Sequence, residues 1–328
     1  PNESGAEMKE IIINKNDCGQ RLDKFIFKAA PSIPKALLYK YIRLKRIKVN
    51  GKRCRNSDIL NEKDVVSLYI NDEFFEYSKN NLELVKNIIN ISVSPEIVYE
   101  DENIIVVYKP EGMDVHRGSE KAKSTLIDII KAYLYRNGEY DPEKENSFSP
   151  AVCNRLDRNT TGLVIAAKNA ASLREINEFI RERKIIKKYL CICAGNFPAN
   201  HGIETAYHKK GQHNLVNIRK SMADGYKQIV TEYKIMEVKG NFALAEINLI
   251  TGRTHQIRAH LAFIGAPILG DGKYGNVTVN KRYGIFRQQL CAYSIEFDID
   301  SDCRLGYLAG KKLFAPKAGF TFGGFSIK

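Results

Sequence analysis

Six short runs rich in apolar and β-branched residues, at 97–99, 104–108, 163–167, 189–194, 231–238 and 242–250, read as strands. The last two are joined by Lys239-Gly240-Asn241, which is a hairpin connection. In the same part of the chain, helical spacing marks residues 125–135, 171–184 and 255–264. Consecutive strands joined by a hairpin predict an α+β fold with a central mixed or antiparallel sheet rather than a doubly wound one. This larger domain is expected to cover residues 96–328.

Upstream of it the charge changes character. The chain of 328 residues carries 51 lysines and arginines against 38 acids, a formal charge of +13. Residues 20–70 hold 13 of the bases and only four of the acids, so most of the excess is local. Such clustering favours a polyanionic partner, above all nucleic acid. No apolar run approaches the roughly 20 residues of a membrane-spanning helix, so a membrane partner is not expected. The polar first ten residues and the short apolar patch at 11–13 do not read as a secretory signal, which predicts a cytoplasmic protein with residues 1–14 as an extension. The seven cysteines form no CxxC pair, so reduced thiols and no metal site are expected. Cys191 and Cys193, two apart on a strand, should share one face and serve packing.

Within the basic stretch, residues 21–30 and 35–44 have helical spacing, and Ser32-Ile33-Pro34 offers a cap and an early-helix proline to the second. Ile47-Lys48-Val49, then Asn50-Gly51, then Lys52-Arg53-Cys54 predict a tight hairpin, and residues 64–70 a closing strand. Two helices followed by a basic turn, with Arg21-Leu22-Asp23 at the start and Asp64-Val65-Val66 late, resemble an S4-type RNA-binding domain, taken to span 15–75 with a linker at 76–95. That resemblance assigns RNA contact to Arg21, Lys35, Lys40, Arg43, Lys45, Arg46, Lys48, Lys52 and Arg53.

Four strings of the larger domain carry chemistry. Asn154-Arg155-Leu156-Asp157-Arg158-Asn159-Thr160-Thr161-Gly162 leads into a buried strand and places one carboxylate between two guanidinium groups, which favour its charged form. Such a carboxylate can act as nucleophile or base, or simply as a structural ion pair. Thr251-Gly252-Arg253-Thr254-His255-Gln256-Ile257-Arg258 leaves a strand and enters a helix whose apolar positions leave Arg253, Gln256 and Arg258 available to a site. A helix start can also receive a phosphate on its backbone N–H groups. Lys187-Lys188-Tyr189-Leu190 puts a tyrosine at the opening of a strand, and residues 109–118 form a Pro/Gly-rich turn.

In this order the strings resemble the RluA family of pseudouridine synthases, whose patterns KPxGxxVHxG, HRLDxxTSGLLxxAK, KxYLAxVxG and TGRTHQIRxHLxxxGxPIxGDxxYG match at 109–118, 154–168, 187–195 and 251–275. Two positions depart from the pattern: Asn154 stands where the family has histidine, and Cys291 where it often has histidine. The resemblance implies an isomerase acting on RNA, with Asp157 as catalytic carboxylate, Tyr189 stacking on the base and Arg258 paired with Asp157. It further implies substrate contacts from Arg155, Ile257, Arg253, His255 and Gln256. Because the product has the same atoms as the substrate, no cofactor is expected. The S4-like module points to large-subunit (23S) ribosomal RNA or a pre-ribosomal particle as partner; a monomer is expected. The alternatives are a transfer-RNA synthase and a non-catalytic RNA-binding or ribosome-assembly protein on the same fold.

Overall fold

In the computed structural model, residues 8–75, 86, 88, 90–116, 124–212, 215–320 and 324–325 are described. Residues 1–7, most of the expected linker, including most of residues 82–89 whose sequence also suits a helix, and Arg117 and Gly118 of the Pro/Gly-rich string lie outside the described residues. The chain divides into two compact units. One comprises Pro1–Ser94, Ile127–Ala151 and Ala167–Arg174, the other Pro95–Leu126, Val152–Ala166 and Glu175–Lys328.

The first unit holds β1 (Met8–Ile12), α1 (Leu22–Ala29), α2 (Lys35–Arg43), β2 (Ile47–Val49), β3 (Lys52–Arg53) and β4 (Val65–Tyr69). The strands form an antiparallel sheet in the order β1-β4-β2-β3. Leu22, Phe25, Ile26, Leu38 and Ile42 of the helices share one apolar core with Ile47, Val66 and Leu68 of the sheet. The hairpin expected at Asn50-Gly51 is present, and both residues take positive φ, 52° and 73°, as a tight two-residue turn requires. Ser32 does not cap α2. Pro34 occupies the N-cap in extended backbone and no side chain caps the helix, because proline's fixed φ already sets the chain direction there. The patch read as Ile11 to Ile13 is the end of an added edge strand.

A polar turn at residues 14–20 gathers a second group of contacts. Asp17, fully buried, accepts hydrogen bonds from Ser147 Oγ at 2.6 Å and Asn146 Nδ2 at 2.7 Å. Asn16 Nδ2 donates to Glu145 Oε1 at 2.6 Å. Buried amides and carboxylates need such partners, and here they come from a segment more than a hundred residues away in the chain.

The second unit is built on an 11-stranded sheet: β5 (Glu96–Glu100), β6 (Ile104–Lys109), β7 (Ala151–Val152), β8 (Thr161–Ala167), β9 (Ile185–Ala194), β10 (His201–Lys210), β11 (Val216–Arg219), β12 (Lys227–Lys239), β13 (Phe242–Leu249), β14 (Leu290–Phe297) and β15 (Lys312–Phe314). The main path runs β11-β10-β12-β13-β9-β14-β8-β6-β5, with β15 on β14 and β7 on β8. A parallel register joins β14 to β8 through Cys291↔Thr161 and Ala292↔Gly162. The pairs from β11 through β10, β12, β13 and β9 to β14 are antiparallel, as are β5 with β6 and β14 with β15. The sheet is therefore mixed, and the α+β expectation holds. Gly162 makes the parallel step possible. Its φ is 114°, and a Cβ there would collide with the backbone of Ala292. Of the remaining α-helices with described bounds, α3 (Leu126–Arg136) falls almost wholly in the first unit, α4 (Ala170–Arg181) is divided between the two, and α5 (Gln256–Phe263) and α6 (Val277–Tyr283) belong to the second. Ile104, Val106, Leu163 and Ile165 pack with Ile176, Phe179, Ile295 and Phe297 in one apolar core of this unit. Among the described residues no helix is long and apolar enough to cross a membrane.

Candidate active site

Asp157 lies on the loop between β7 and β8, and that loop is fastened at several points. Asn154, buried, accepts from Ile165 N at 2.8 Å and donates to Leu163 O at 3.2 Å, so its amide grips the strand that follows the loop. At the far end Gln288 Nε2 donates to Thr160 Oγ1 at 2.8 Å, and Thr160 N returns to Asp157 O at 3.0 Å. Asn154 thus makes both amide hydrogen bonds that its position needs, whereas buried Cys291 lies in β14 with its thiol pushed up to about 11 by burial.

A third fastening comes from Lys109 at the end of β6. Its side chain is wholly buried, and Nζ donates to the carbonyls of Pro110 at 2.8 Å, Met113 at 2.9 Å and Arg158 at 2.9 Å. Gly112 N also donates to Arg158 O at 2.9 Å, and Arg158 Nε to Gly112 O at 3.1 Å. Burial pulls the Lys109 ammonium down to about 8, against the opposing fields of Asp114, Asp157 and Glu111. The Pro/Gly-rich turn is thus a brace for the loop that carries Asp157.

The flanking arginines are not the partners of Asp157. Arg155 is exposed and Arg158 reaches Gly112. The partner is Arg258 on α5, whose Nη1 donates to Asp157 Oδ2 at 2.8 Å. Arg258 is held from behind by Asp271, through Nε to Oδ2 at 2.6 Å and Nη2 to Oδ1 at 3.0 Å. This two-pronged contact matches the planar fork of a guanidinium to a carboxylate. Asp271 has no exposed surface and also accepts from Lys273 N at 2.8 Å and Tyr274 N at 3.1 Å. Burial alone would raise its carboxyl; the hydrogen bond and charge of Arg258 and those two amides outweigh it and hold the carboxyl below its usual value. Sequence reasoning misses Asp271 as a site residue, for it lies in a loop 13 residues from its partner, where neither helical nor strand periodicity applies.

His255, the N-cap of α5, takes left-handed backbone with φ 52°. A non-glycine residue so placed carries strain that its surroundings must hold. Its Nδ1 shares a hydrogen bond with Tyr274 OH at 2.9 Å, and Nε2 comes within 3.8 Å of Asp157 Oδ2. Burial lowers its pKa, only partly countered by the charge of Asp157. Gln256 is almost fully buried and entirely engaged by the protein. Oε1 accepts from Thr251 Oγ1 and Arg253 N, and Nε2 donates to Val230 O and Thr231 Oγ1. It acts as a strut for the preceding turn, which His208 also pins by donating from Nε2 to Thr254 O at 2.9 Å. The first helical N–H is already bonded to Arg253 O.

Tyr189 is the fifth residue of β9 rather than its opening residue, paired with Ile247 on one side and Ala292 on the other. Burial, reinforced by the negative charge of Asp157, drives its phenol well above the ordinary tyrosine value. Asp157, Tyr189, Arg258, Ile257, Arg155, Arg253, His255 and Gln256 all line one cavity of about 390 Å³. Lys187 lines it too, although in the sequence it reads only as one of a basic pair ahead of the tyrosine. Within this wall the charge of Asp157 is met by Arg258, while the side chains of Arg155, Lys187 and Arg253 have no acidic or carbonyl partner among the described residues. The cavity therefore has a surplus of positive charge around one aimed carboxylate, which suits an anionic substrate of nucleotide size. Among the described residues no group of histidine, cysteine, aspartate and glutamate is arranged to hold a metal ion.

On the N-terminal module Lys35, Lys40, Arg43, Lys45, Lys52 and Arg53 are exposed, while Arg46 and Lys48 are half-buried and lie over the rings of Tyr41 and Tyr69. Arg43, Arg53 and Arg55 line a depression of about 620 Å³ beside Tyr39. Arg21 differs from the rest, since Asp23 holds its guanidinium through two bonds of 3.0 and 2.8 Å.

The fold agrees with comparisons to known proteins. Residues 103–263 match the family model described as RNA pseudouridylate synthase, and residues 20–66 match the S4 domain. An uncharacterized RNA pseudouridine synthase of Mycoplasma capricolum is 35% identical over 88% of this chain and 92% of its own. The ribosomal large subunit pseudouridine synthase C of Buchnera aphidicola is 32% identical, over 88% of each chain. Human RNA pseudouridylate synthase domain containing 4 shares the fold, with a TM-score of 0.53 and 22% identity over 73% of this chain and 92% of that one. The chain belongs to the RNA pseudouridine synthases, as the RluA-type resemblance implied. It is an isomerase of RNA with an S4 domain near its N-terminus.

Proposed function

We propose that this enzyme converts uridine to pseudouridine in large-subunit (23S) ribosomal RNA, within ribosomal RNA or a pre-ribosomal particle in the cytoplasm, and that it works as a monomer. The observation that carries the reading is the Asp157–Arg258 pair at 2.8 Å in the cavity that Tyr189 also lines. The ribosomal target is supported by relatives named large subunit synthases, such as that of Buchnera aphidicola, and by the cationic S4 domain.

A uridine in folded RNA must leave its stack before a side chain can reach its sugar, at a cost of a few kcal/mol. Asp157 acts on the everted nucleotide, aimed by Arg258. Tyr189 stacks against the uracil, and Ile257 packs beside it. Arg155, exposed at the rim, contacts the RNA backbone and fills the space that the base vacates. Arg253 adds a second backbone contact, and His255 and Gln256 shape the wall. The S4 domain, taken as residues 15–75, supplies non-specific affinity through its exposed lysines and arginines, and residues 96–328 perform the reaction.

The test is tritium release from 5-tritiated uridine in transcribed 23S RNA, followed by carbodiimide mapping of the modified positions. Release by the wild-type enzyme is expected, with ribosomal positions lost in a strain without the gene. Binding without release would leave a ribosome-assembly protein, and release from transfer RNA alone would move the target.

A further inference from the structure

Neighbouring lysines on β9 have opposite circumstances. Lys188 donates from Nζ to Glu246 Oε1 at 2.9 Å. Lys187 points to the other face, as alternation along a strand demands, and lines the Asp157 cavity. Among the described residues its ammonium has neither a carboxylate nor a carbonyl partner. Burial lowers its pKa and no acid opposes that effect. Contrast Lys109, which is fully buried where Lys187 is half-buried, and which is satisfied by three carbonyls. An ammonium withdrawn from water without a partner is costly, so a ligand that brings its own negative charge is the natural complement. Asp157 is not that complement, because Arg258 already meets it.

Position narrows the ligand. Lys187 precedes Tyr189 by two residues on the same face, roughly 6.6 Å along the strand. A base lying on the tyrosine ring would thus place its own sugar and phosphates on the side where Lys187 stands. Resting on the reading of the cavity as a uridine site, we propose that Lys187 binds one of the two phosphodiesters flanking the everted nucleotide and so fixes the sugar over Asp157. Arg155 and Arg253, at the exposed edge, serve more distant phosphates.

The experiment uses the full-length enzyme and the ribosomal RNA fragment it modifies, made in three forms: all-phosphate, with a neutral methylphosphonate 5′ of the target uridine, and with one 3′ of it. On all-phosphate RNA, Lys187→Met should lose about 10- to 100-fold in kcat/KM, the size expected of one charge-assisted hydrogen bond. Lys187→Arg should stay within about fivefold of wild type, which separates charge from folding. Wild type should lose a similar factor on one of the two methylphosphonates, and Lys187→Met should lose nothing further on that substrate. The form that shows this non-additivity identifies the phosphate. If Lys187→Met is as active as wild type, or if the methylphosphonates cost it as much as they cost wild type, the assignment is wrong while the uridine reading stands. A wild type that forms no pseudouridine in any RNA overturns both.

Discussion

Positive charge is used differently in the N-terminal module and in the cavity. On the module Lys40, Arg43, Lys45 and Lys52 stand exposed around a hairpin and a helix end, over a small apolar core. In the cavity the one acid is met by a guanidinium that is itself clamped by a second, buried acid. Exposed cations act through the number of phosphates they neutralise and fade with salt. A desolvated and braced pair acts through direction and is screened far less. Reach and aim are thus separate properties of this chain, and each can be changed alone.

The largest effect should come from the centre of aim. Asp157→Asn is expected to lower pseudouridine formation by at least about 10³-fold, a loss on the scale of removing a key catalytic group, with RNA affinity within a few fold. Activity near wild type in the tritium assay would erase the distinction between the two regions. Next comes the clamp. Asp271→Ala leaves Arg258 with a single acidic partner, which should cost about 3–5 kcal/mol of stability in denaturant unfolding, and should reduce kcat more than KM. Smaller again, replacing Lys40, Arg43, Lys45 and Lys52 by glutamine should weaken RNA binding and reduce the salt slope by up to about 0.9 for each phosphate that is no longer neutralised. Saturating kcat should hold. A fall in kcat with an unchanged salt slope would reverse the roles assigned to the two regions.

The smallest effect concerns pH. His260 is buried on α5, with Nδ1 bonded to Thr231 Oγ1 at 2.9 Å, and burial pulls its pKa down to about 4. The unfolded chain, titrating near 6.5, binds more protons than the folded one between these values, so stability rises with pH across that window and is lost as pH falls through it. The loss is of the order of 3 kcal/mol at most. In His260→Asn the drop in melting temperature between pH 7 and pH 5 should shrink, with turnover at pH 7.5 little changed.

Local patterns make the hairpin at Asn50-Gly51, the helices ending near Ala29, Arg43 and Phe263, and the strands β5, β6, β8 and β13 readable before any coordinates. Strands β1, β7, β10, β11, β14 and β15 escape such reading, and two of them show why. Strand β14 lies in the middle of the large sheet, yet Leu290-Cys291-Ala292 stands out only as a departure from a family pattern. Strand β10, carrying His201, Glu204, His208 and Lys209, is too polar for an apolar run to mark it. Of the site, Asp157 and Arg258 are legible because their strings are distinctive. Chain neighbours are the first partners that a sequence suggests for Asp157, whereas the bond to Arg258 crosses 101 residues. Asp271, Lys109 and the strut made by Gln256 depend likewise on contacts that the larger sheet creates. Pairings of this range have no local signature.

The loop bearing Asp157 is gripped by Asn154 at its start, by Gln288 at its end and by Lys109 alongside. A segment restrained in this way keeps its shape before any nucleic acid arrives. The energy of encounter can then go into deforming the RNA instead of assembling the protein, and speed would be limited by how readily a given uridine swings out.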